Sequence, residues 1–461
     1  MVLSNVRLVS QRFGATPGES HRMKVLVYPH SMELGGSQLN AVQLAEAVRD
    51  LGHEVTVAAE TGPLLDRIRE TGLRHIEIPR HRARPSPRVG QMLRSIVNER
   101  TVDVVHGHEW PPIVEAFLSV GLSTRAAVVG TVMSMSVPSF LPRSVPLTVG
   151  TEMIRRAAIT AGHQDVTLLE PPVDTKSDHP LVDGTGFRAA QNIGPDEVVI
   201  AMVCRLVPNL KLEGLLSACD AVGEIALDGL PVRLLIIGNG PARPNVEARA
   251  ARINSLVGRN AVVLVGEMSD PRPGYAAADV IIGQGGSALR GMAFGKPLVV
   301  VGEDGFSELL TPESAPTFLQ QGWYGLGKGS RGAGASALRS ALETILASAS
   351  LRQELGGFGR RLVEHRFSLA QAARTIEQTY LHALRSKPST SQRLADAGRC
   401  SASLANYKVQ RKYRRWMGLA SAEDDNDRAR ISAVLSAKSA APRSERAAPD
   451  PTHKISRQTD T

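Results

Sequence analysis

Cysteine is scarce in this chain, with Cys204, Cys219 and Cys400 the three in 461 residues. Two of them sit in apolar runs, which excludes a disulfide framework or a cysteine metal cluster and fits a reducing cytoplasm. Aromatic residues are only 4% of the chain against 42% hydrophobic residues overall, so aliphatic side chains must fill the cores. No unbroken apolar run approaches the roughly 20 residues of a membrane span. Residues 1–22 are polar and mixed, without the apolar centre of a secretory leader; they read as a flexible extension, with Met23 a candidate start. Negative charge is in deficit, at 45 Asp and Glu against 54 Lys and Arg, a net +9. That balance suits anionic partners, whether nucleotides, nucleic acid or an acidic membrane face.

What is present is length and alternation. A chain of 461 residues exceeds one ordinary core, so two domains plus extra segments are expected. From Lys24 the pattern is βαβα: strands at 24–28, 53–59, 75–78, 102–106 and 126–131, with helices at 37–51, 64–71, 89–99 and 112–120 between them. This predicts an α/β fold with a doubly wound parallel sheet, whose ligands bind beyond the carboxyl ends of the strands. Gly35 and Gly36, His106 and His108, and residues 131–136 should then surround one crevice. Residues 145–149 and 170–174 read as crossing segments. A second series begins at 198–203, and helices at 336–347, 351–365 and 369–384 close the fold, the last able to pass back onto the first domain. The expected divisions are an extension (1–22), a first Rossmann-like domain (23–180), a second (181–385) and a low-complexity, largely disordered tail (386–461).

The stretch from Ala278 to Leu310 organises the second series. A buried strand leads into Gly283, Gly285 and Gly286, then a helix from about Ser287 and another strand from Pro297. Glycines between a strand end and a helix start leave N–H groups open to an anion, aided by the helix dipole. The plainer alternative is a tight βα turn without a ligand. Arg205 and Lys211 follow the strand at 198–203, where two cations can neutralise a diphosphate and stabilise charge on a departing phosphate.

The order of these motifs resembles the GT-B glycosyltransferases, most closely the retaining family 4. Gly35-Gly36 matches its GG loop, Arg205 to Lys211 its R-x5-K, and Gly238-Asn239-Gly240-Pro241 its G-x-G-P. Tyr275 to Asp279 matches Y-x-x-A-D, Met292 to Pro297 matches M-A-x-G-x-P, and Glu308 falls at the glutamate of G-G-x-x-E. The similarity spans about residues 24–385. It implies two Rossmann-like domains facing across a cleft, a nucleotide-sugar donor on the second and an acceptor (glycan, lipid or small molecule) on the first. No metal and no cofactor are implied, because Arg205 and Lys211 take the charge a cation would carry. By the same analogy Gly36 and that pair hold the diphosphate, backbone near Glu267 and Met268 reads the base, and Gly285, Gly286 and Ser287 line the sugar-phosphate pocket.

The chain departs from the family twice. Arg290 stands where the family has a ribose-binding glutamate, reversing charge at a donor contact. Met133 stands where the family often has a histidine near the donor sugar, and methionine neither donates a hydrogen bond nor exchanges protons. His106 and His108, followed by Glu109, have a spacing that suggests a metal site, but such a pair occurs in the family without metal, and one of them is expected to face the acceptor. Residues 404–418 combine Lys408, Arg411, Lys412, Arg414 and Arg415 with Tyr407, Tyr413 and Trp416, as in helices that lie on anionic bilayers; a solvated or docked helix is the alternative.

These features lead to an expected cytoplasmic, metal-independent, retaining glycosyltransferase, with possible peripheral contact at the inner membrane face. A catalytically inactive GT-B protein binding a nucleotide sugar or a partner is the first rival. A nucleic-acid binder, suggested only by the charge, ranks last, and no nucleic-acid partner is expected.

Overall fold

The computed structural model describes residues 22–418 apart from 34, 81, 82 and 135. The expected N-terminal extension and the chain beyond 418, including the disorder expected at 421–461, lie outside the described residues.

The first half comprises β1 (Lys24–Tyr28), α1 (Gly36–Asp50), β2 (Glu54–Ala59), α2 (Leu65–Glu70), β3 (Arg74–Glu77), α3 (Pro87–Arg100), β4 (Val104–His108), α4 (Trp110–Ala116), β5 (Ala127–Val132), β6 (Leu147–Val149), α5 (Glu152–Thr160) and β7 (Val166–Leu168). Its seven strands are all parallel, in the order β3-β2-β1-β4-β5-β6-β7. The second half comprises α6 (Thr185–Ala190), β8 (Val198–Val203), α7 (Pro208–Leu227), β9 (Val232–Ile237), α8 (Arg243–Val257), β10 (Val262–Gly266), α9 (Arg272–Ala277), β11 (Val280–Gly283), α10 (Gly286–Ala293), β12 (Leu298–Val301), β13 (Ser307–Leu309), α11 (Ala315–Gln321), α12 (Gly334–Leu346) and α13 (Ala349–Arg366). Its sheet runs β10-β9-β8-β11-β12-β13, with only the β12–β13 pair antiparallel.

Central strands buried on both faces explain the unbroken Val, Ile and Leu runs at 25–27, 104–105, 199–200 and 280–282. Strand order reverses between β1 and β4 in one sheet and between β8 and β11 in the other. Those are the switch points where loops splay apart and leave a crevice. The loops after β1, β4, β8 and β11 are the ones that carry the candidate residues.

Two crossing segments join the halves side by side. Val173 N–H donates to the Phe367 carbonyl (2.8 Å) and Leu369 N–H donates to the Val173 carbonyl (2.8 Å). The helix α14 (Leu369–Arg385) then returns to the first sheet, where Ala373, Ile376 and Tyr380 share a core with Val25, Val27 and Val129. Its Tyr380 hydroxyl lies 2.7 Å from His106 Nδ1, inside that core. Replacing Tyr380 with Phe strands a buried ring nitrogen and should cost about 1–3 kcal/mol of stability. Urea unfolding of the variant beside the parent protein measures it.

Past Ser386 the chain does not become irregular. Residues Thr390–Trp416 form one 27-residue helix, α15, opened by a capping box in which Ser389 and Gln392 exchange hydrogen bonds. Ala397, Cys400 and Leu404 recur at helical spacing and are buried against the first sheet. Asp396 accepts from Ser144 N–H (2.8 Å) and Oγ (2.7 Å), and Arg399 reaches the Ser139 carbonyl (2.9 Å). An alanine- and arginine-rich segment that resembles low complexity is here a docked helix.

Candidate functional site

In the second half, Lys211 is positioned by a kink. Leu210 adopts a left-handed conformation (φ 68°), which costs a non-glycine residue on the order of 1 kcal/mol. Its N–H donates to Glu303 Oε1 (3.1 Å) and its carbonyl accepts from Gln284 Nε2 (2.7 Å), so both backbone groups are held. Glu303 in turn accepts from the Tyr324 hydroxyl. Neither Glu303 nor Gln284 was singled out from sequence, where nothing near the R-x5-K motif points to residues 74 and 93 positions downstream.

The kink carries Lys211 into a small cleft that it shares with Cys204, Gly283, Gln284 and Ser287. Among the described residues its ammonium has no carboxylate partner, and burial lowers its pKa to about 8, with only Cys204 opposing the shift. Ser287 Oγ closes the first turn of α10, donating to the Gln284 carbonyl (3.0 Å). At Gly285 (φ 58°) and Gly286 an added Cβ would meet nothing within 4 Å, so the approach to this helix N-terminus is open. Arg205 lies exposed on the turn after β8, also without an ion pair among the described residues, and does not line the same cleft.

The G-x-G-P turn owes its glycines to packing. At Gly238 (φ 143°) a Cβ would lie 1.9 Å from the Cys204 carbonyl oxygen, and at Gly240 (φ 154°) 2.3 Å from that of Leu206. The turn therefore supports the loop bearing Arg205. Glu267 is exposed and Met268 half-buried just past β10. Arg290, in the middle of α10, pairs with the buried Asp178 (Nε–Oδ2 2.9 Å). Burial raises the Asp178 carboxyl, and Arg290 opposes that shift. Glu308 accepts from Ser330 N–H and Oγ (2.5 and 2.6 Å) on the far strand β13. Trp323 is packing, stacked on Phe318 and edge-on to Phe367.

In the first half, Glu109 gathers the crevice. It sits at φ 67° between β4 and α4 and accepts from Ser37 Oγ (2.8 Å), Met133 N–H (3.0 Å), Ser134 N–H (3.2 Å) and Ser134 Oγ (2.8 Å). One carboxylate thus ties the Gly35-Gly36 loop to the end of β5, bringing Gly35, Gly36 and Met133 together as expected from the topology. Its central place was missed in sequence, where it reads only as a neighbour of the histidine pair. Gly36 is exposed, with nothing near an added Cβ, whereas one at Gly35 would meet Gln38 at 2.3 Å.

The two histidines separate in role. Both ring nitrogens of His106 are bonded, to Tyr380 and to Thr131 Oγ1 (2.7 Å each), and burial holds its pKa down at about 3. It fastens α14 to the sheet and has no nitrogen left for an acceptor. His108, its ring tilted 35° beside that of His106 with centroids 4.2 Å apart, is buried with neither nitrogen bonded among the described residues. Burial, and then the neighbouring His106 and His30, keep it neutral well below its ordinary pKa. No hydrogen bond among the described residues joins the Glu109 cluster to the Lys211 cleft. A cavity of about 1320 Å³ between α5 and α11 is lined by Glu308 but by none of the other residues singled out from sequence.

Two Rossmann-like sheets, each with an open switch point and joined by paired crossing segments, define the GT-B architecture. Residues 34–175 match the protein family described as Glycosyltransferase Family 4, and residues 197–341 match that described as Glycosyl transferases group 1. The two matches together take in more than half of the chain, which belongs to the group 1 GT-B glycosyltransferases and has a role in glycosyl transfer. No curated protein matches it in sequence.

Solved structures are similar in fold. A glycosyltransferase from Rickettsia africae ESF-5 superposes with a TM-score of 0.65 at 17% identity, covering 79% of this chain and 99% of that one. Anabaena Alr3699/HepE in complex with UDP gives 0.60 at 16%, covering 77% and 99%. An S. aureus MnaA-UDP structure gives 0.54 at 13%, covering 80% and 99%. Among the described residues, no helix is long and apolar enough to cross a membrane.

Proposed function

We propose that this chain transfers a sugar, with retention and without a metal ion, from a UDP-sugar bound on its second half to an acceptor hydroxyl entering from the first. The observation that carries this is Lys211, a half-buried ammonium without a carboxylate partner among the described residues, beside the open N-terminus of α10. A diphosphate placed there supplies the missing anion, and Arg205 supplies a second cation from the adjoining turn. HepE, similar in fold, is known in complex with UDP and with UDP-glucose, which makes uracil the base to try first.

In the reaction the bond from the sugar anomeric carbon to the diphosphate oxygen breaks, and a bond to the acceptor oxygen forms on the same face. The acceptor proton passes to the departing phosphate, whose charge Lys211 and Arg205 stabilise. A neutral His108, a weak base at its lowered pKa, suits a hydrogen-bonding role toward sugar or acceptor better than proton abstraction. Glu267 and Met268 keep the place of base-reading backbone, and Gly285 to Ser287 that of the sugar-phosphate pocket.

The experiment is a calorimetric titration with UDP, GDP, ADP and dTDP, beside an Arg205→Ala variant. We expect UDP to bind and the variant to lose roughly tenfold or more in affinity, the scale of one charged hydrogen bond. Binding of no nucleotide at millimolar concentration would refute the donor site. One observation favours a second reading. Arg290, bound to Asp178, replaces the family's ribose contact, which suits a non-catalytic protein that binds a nucleotide sugar or a partner. Turnover of UDP-sugars into free UDP separates the two.

A further inference from the structure

The helix α15 runs from the amino ends of the first sheet's strands to their carboxyl ends. Near its start, Arg393 Nη1 donates to the Gly121 carbonyl (2.8 Å) and Lys387 Nζ, just before it, to that of Arg125 (2.7 Å), on the turn that leads into β5. Seventeen residues into the helix, the Tyr407 ring packs on Phe140 (5.0 Å between centroids) and Trp110 (6.5 Å). Trp110 begins α4, directly after Glu109, so this is the end that holds the crevice. Nine more residues, at 1.5 Å each, carry the helix about 14 Å past that end.

The projecting turns have an uncommon surface. Val409, Tyr413 and Trp416 recur at i, i+4 and i+7, so they share one face, and they are 67%, 58% and 81% exposed. On the helical wheel that face lies opposite the one on which Ala397, Cys400 and Leu404 dock. Lys412 and Lys408 lie to one side of the apolar stripe, with Arg415 beyond them in line with Ala397, and no Asp or Glu occurs between residues 397 and 418. Such a face has one apolar stripe to bury and several cations to neutralise. An anionic lipid headgroup region offers both, with the acyl boundary beneath it to bury the stripe.

We propose that the projecting end of α15 docks on an anionic phospholipid surface and sets the crevice at the ends of β1, β4 and β5 against it. The second clause rests on the glycosyl-transfer reading and deepens it: the acceptor is then a hydroxyl presented at a membrane face, a lipid-borne glycan or lipid headgroup. The first clause stands by itself. Basic residues near such a surface act additively, and the aromatic stripe enters the interface between headgroups and acyl chains.

The test is co-sedimentation of the full-length protein with vesicles of phosphatidylcholine, alone or mixed with phosphatidylglycerol, at low and physiological salt. Two variants on exposed positions accompany it, Val409→Ser/Tyr413→Ser/Trp416→Ser and Lys408→Gln/Lys412→Gln/Arg415→Gln. We expect binding only to the anionic vesicles, weakened by salt, and lost roughly a hundredfold in the charge variant. The stripe variant should lose it as well. Tryptophan emission should shift to the blue on binding, and Trp416→Phe should abolish the shift, because the other tryptophans, Trp110 and Trp323, are already packed. Equal binding to both vesicle types, or full binding by the stripe variant, would overturn the proposal. So would tight oligonucleotide binding or self-association through the stripe in place of vesicle binding. UDP titration of the same variants reads the donor site independently, so a protein that binds UDP and no vesicles refutes the docking alone.

Discussion

Raising the pH from 7 to 9 should weaken UDP binding about tenfold in the parent protein and leave a Lys211→Arg variant flat over the same range. The nucleotide's terminal phosphate, with a second pKa near 6, is already ionised at pH 7. Lys211, with a pKa lowered to about 8, is charged at pH 7 and mostly neutral at pH 9, so binding must then take up a proton. One pH unit above the pKa corresponds to about a tenfold loss. Arginine stays charged throughout. Lys211→Ala should bind roughly 10–150-fold more weakly at pH 7 and show no such slope. The unliganded protein should behave in the opposite sense. The unfolded chain holds the Lys211 proton up to about pH 10.4, so this residue's contribution to stability rises with pH between about 8 and 10.4. A flat parent profile, or unchanged affinity in Lys211→Ala, would remove Lys211 from the phosphate site.

Glu115→Ala should be the most damaging single change in the first half, at about 3–5 kcal/mol of stability. Glu115 lies on α4 with its side chain 1% exposed. It accepts from Arg84 Nε (2.8 Å) and Nη2 (2.7 Å), from Tyr28 Oη (2.6 Å) and from Ser86 N–H (2.6 Å). Those partners come from the end of β1, the loop before α3 and the cap of α3, so one carboxylate holds the floor of the crevice. Removing it leaves the Arg84 guanidinium buried without its anion. Arg84→Met/Glu115→Leu should recover most of the loss, because two apolar side chains strand no charge. Urea midpoints of the three proteins decide it, and a loss under about 1 kcal/mol for Glu115→Ala would show the network to be dispensable.

Sequence reading worked where local pattern and burial agree. The strand at Lys24–Tyr28, the strands at Val198–Val203 and Val232–Ile237, and the helices α13 and α14 stand within a residue or a few of their expected positions, whereas the crossing segment expected at 145–149 is the strand β6. Long apolar runs between polar turns leave little choice but a buried parallel strand. It failed where an element is short or its partner remote. The three-residue strands β6 and β7 have no period to read. The helix α5 is announced only by Thr151, whose side chain caps it. The helix α15 has alanine, serine and arginine where a core-facing helix usually shows leucine, so its docked face was hidden in composition.

The candidate site divides the same way. Chain order and glycine placement located from the sequence the open turns after β1, β8 and β11, since a strand end, a glycine turn and a helix start are contiguous residues. Arg205 and Lys211 were legible as two cations following one strand. Only the tertiary structure decided which of them is drawn into a cleft, through the hold of Glu303 and Gln284 on Leu210. It also decided that His106 is taken up by Tyr380 while His108 is not, and that Arg290 meets Asp178. Each of these depends on a partner brought near by the packing of distant elements. The energy of a charge or a ring nitrogen is set by such neighbours, and sequence spacing does not record them.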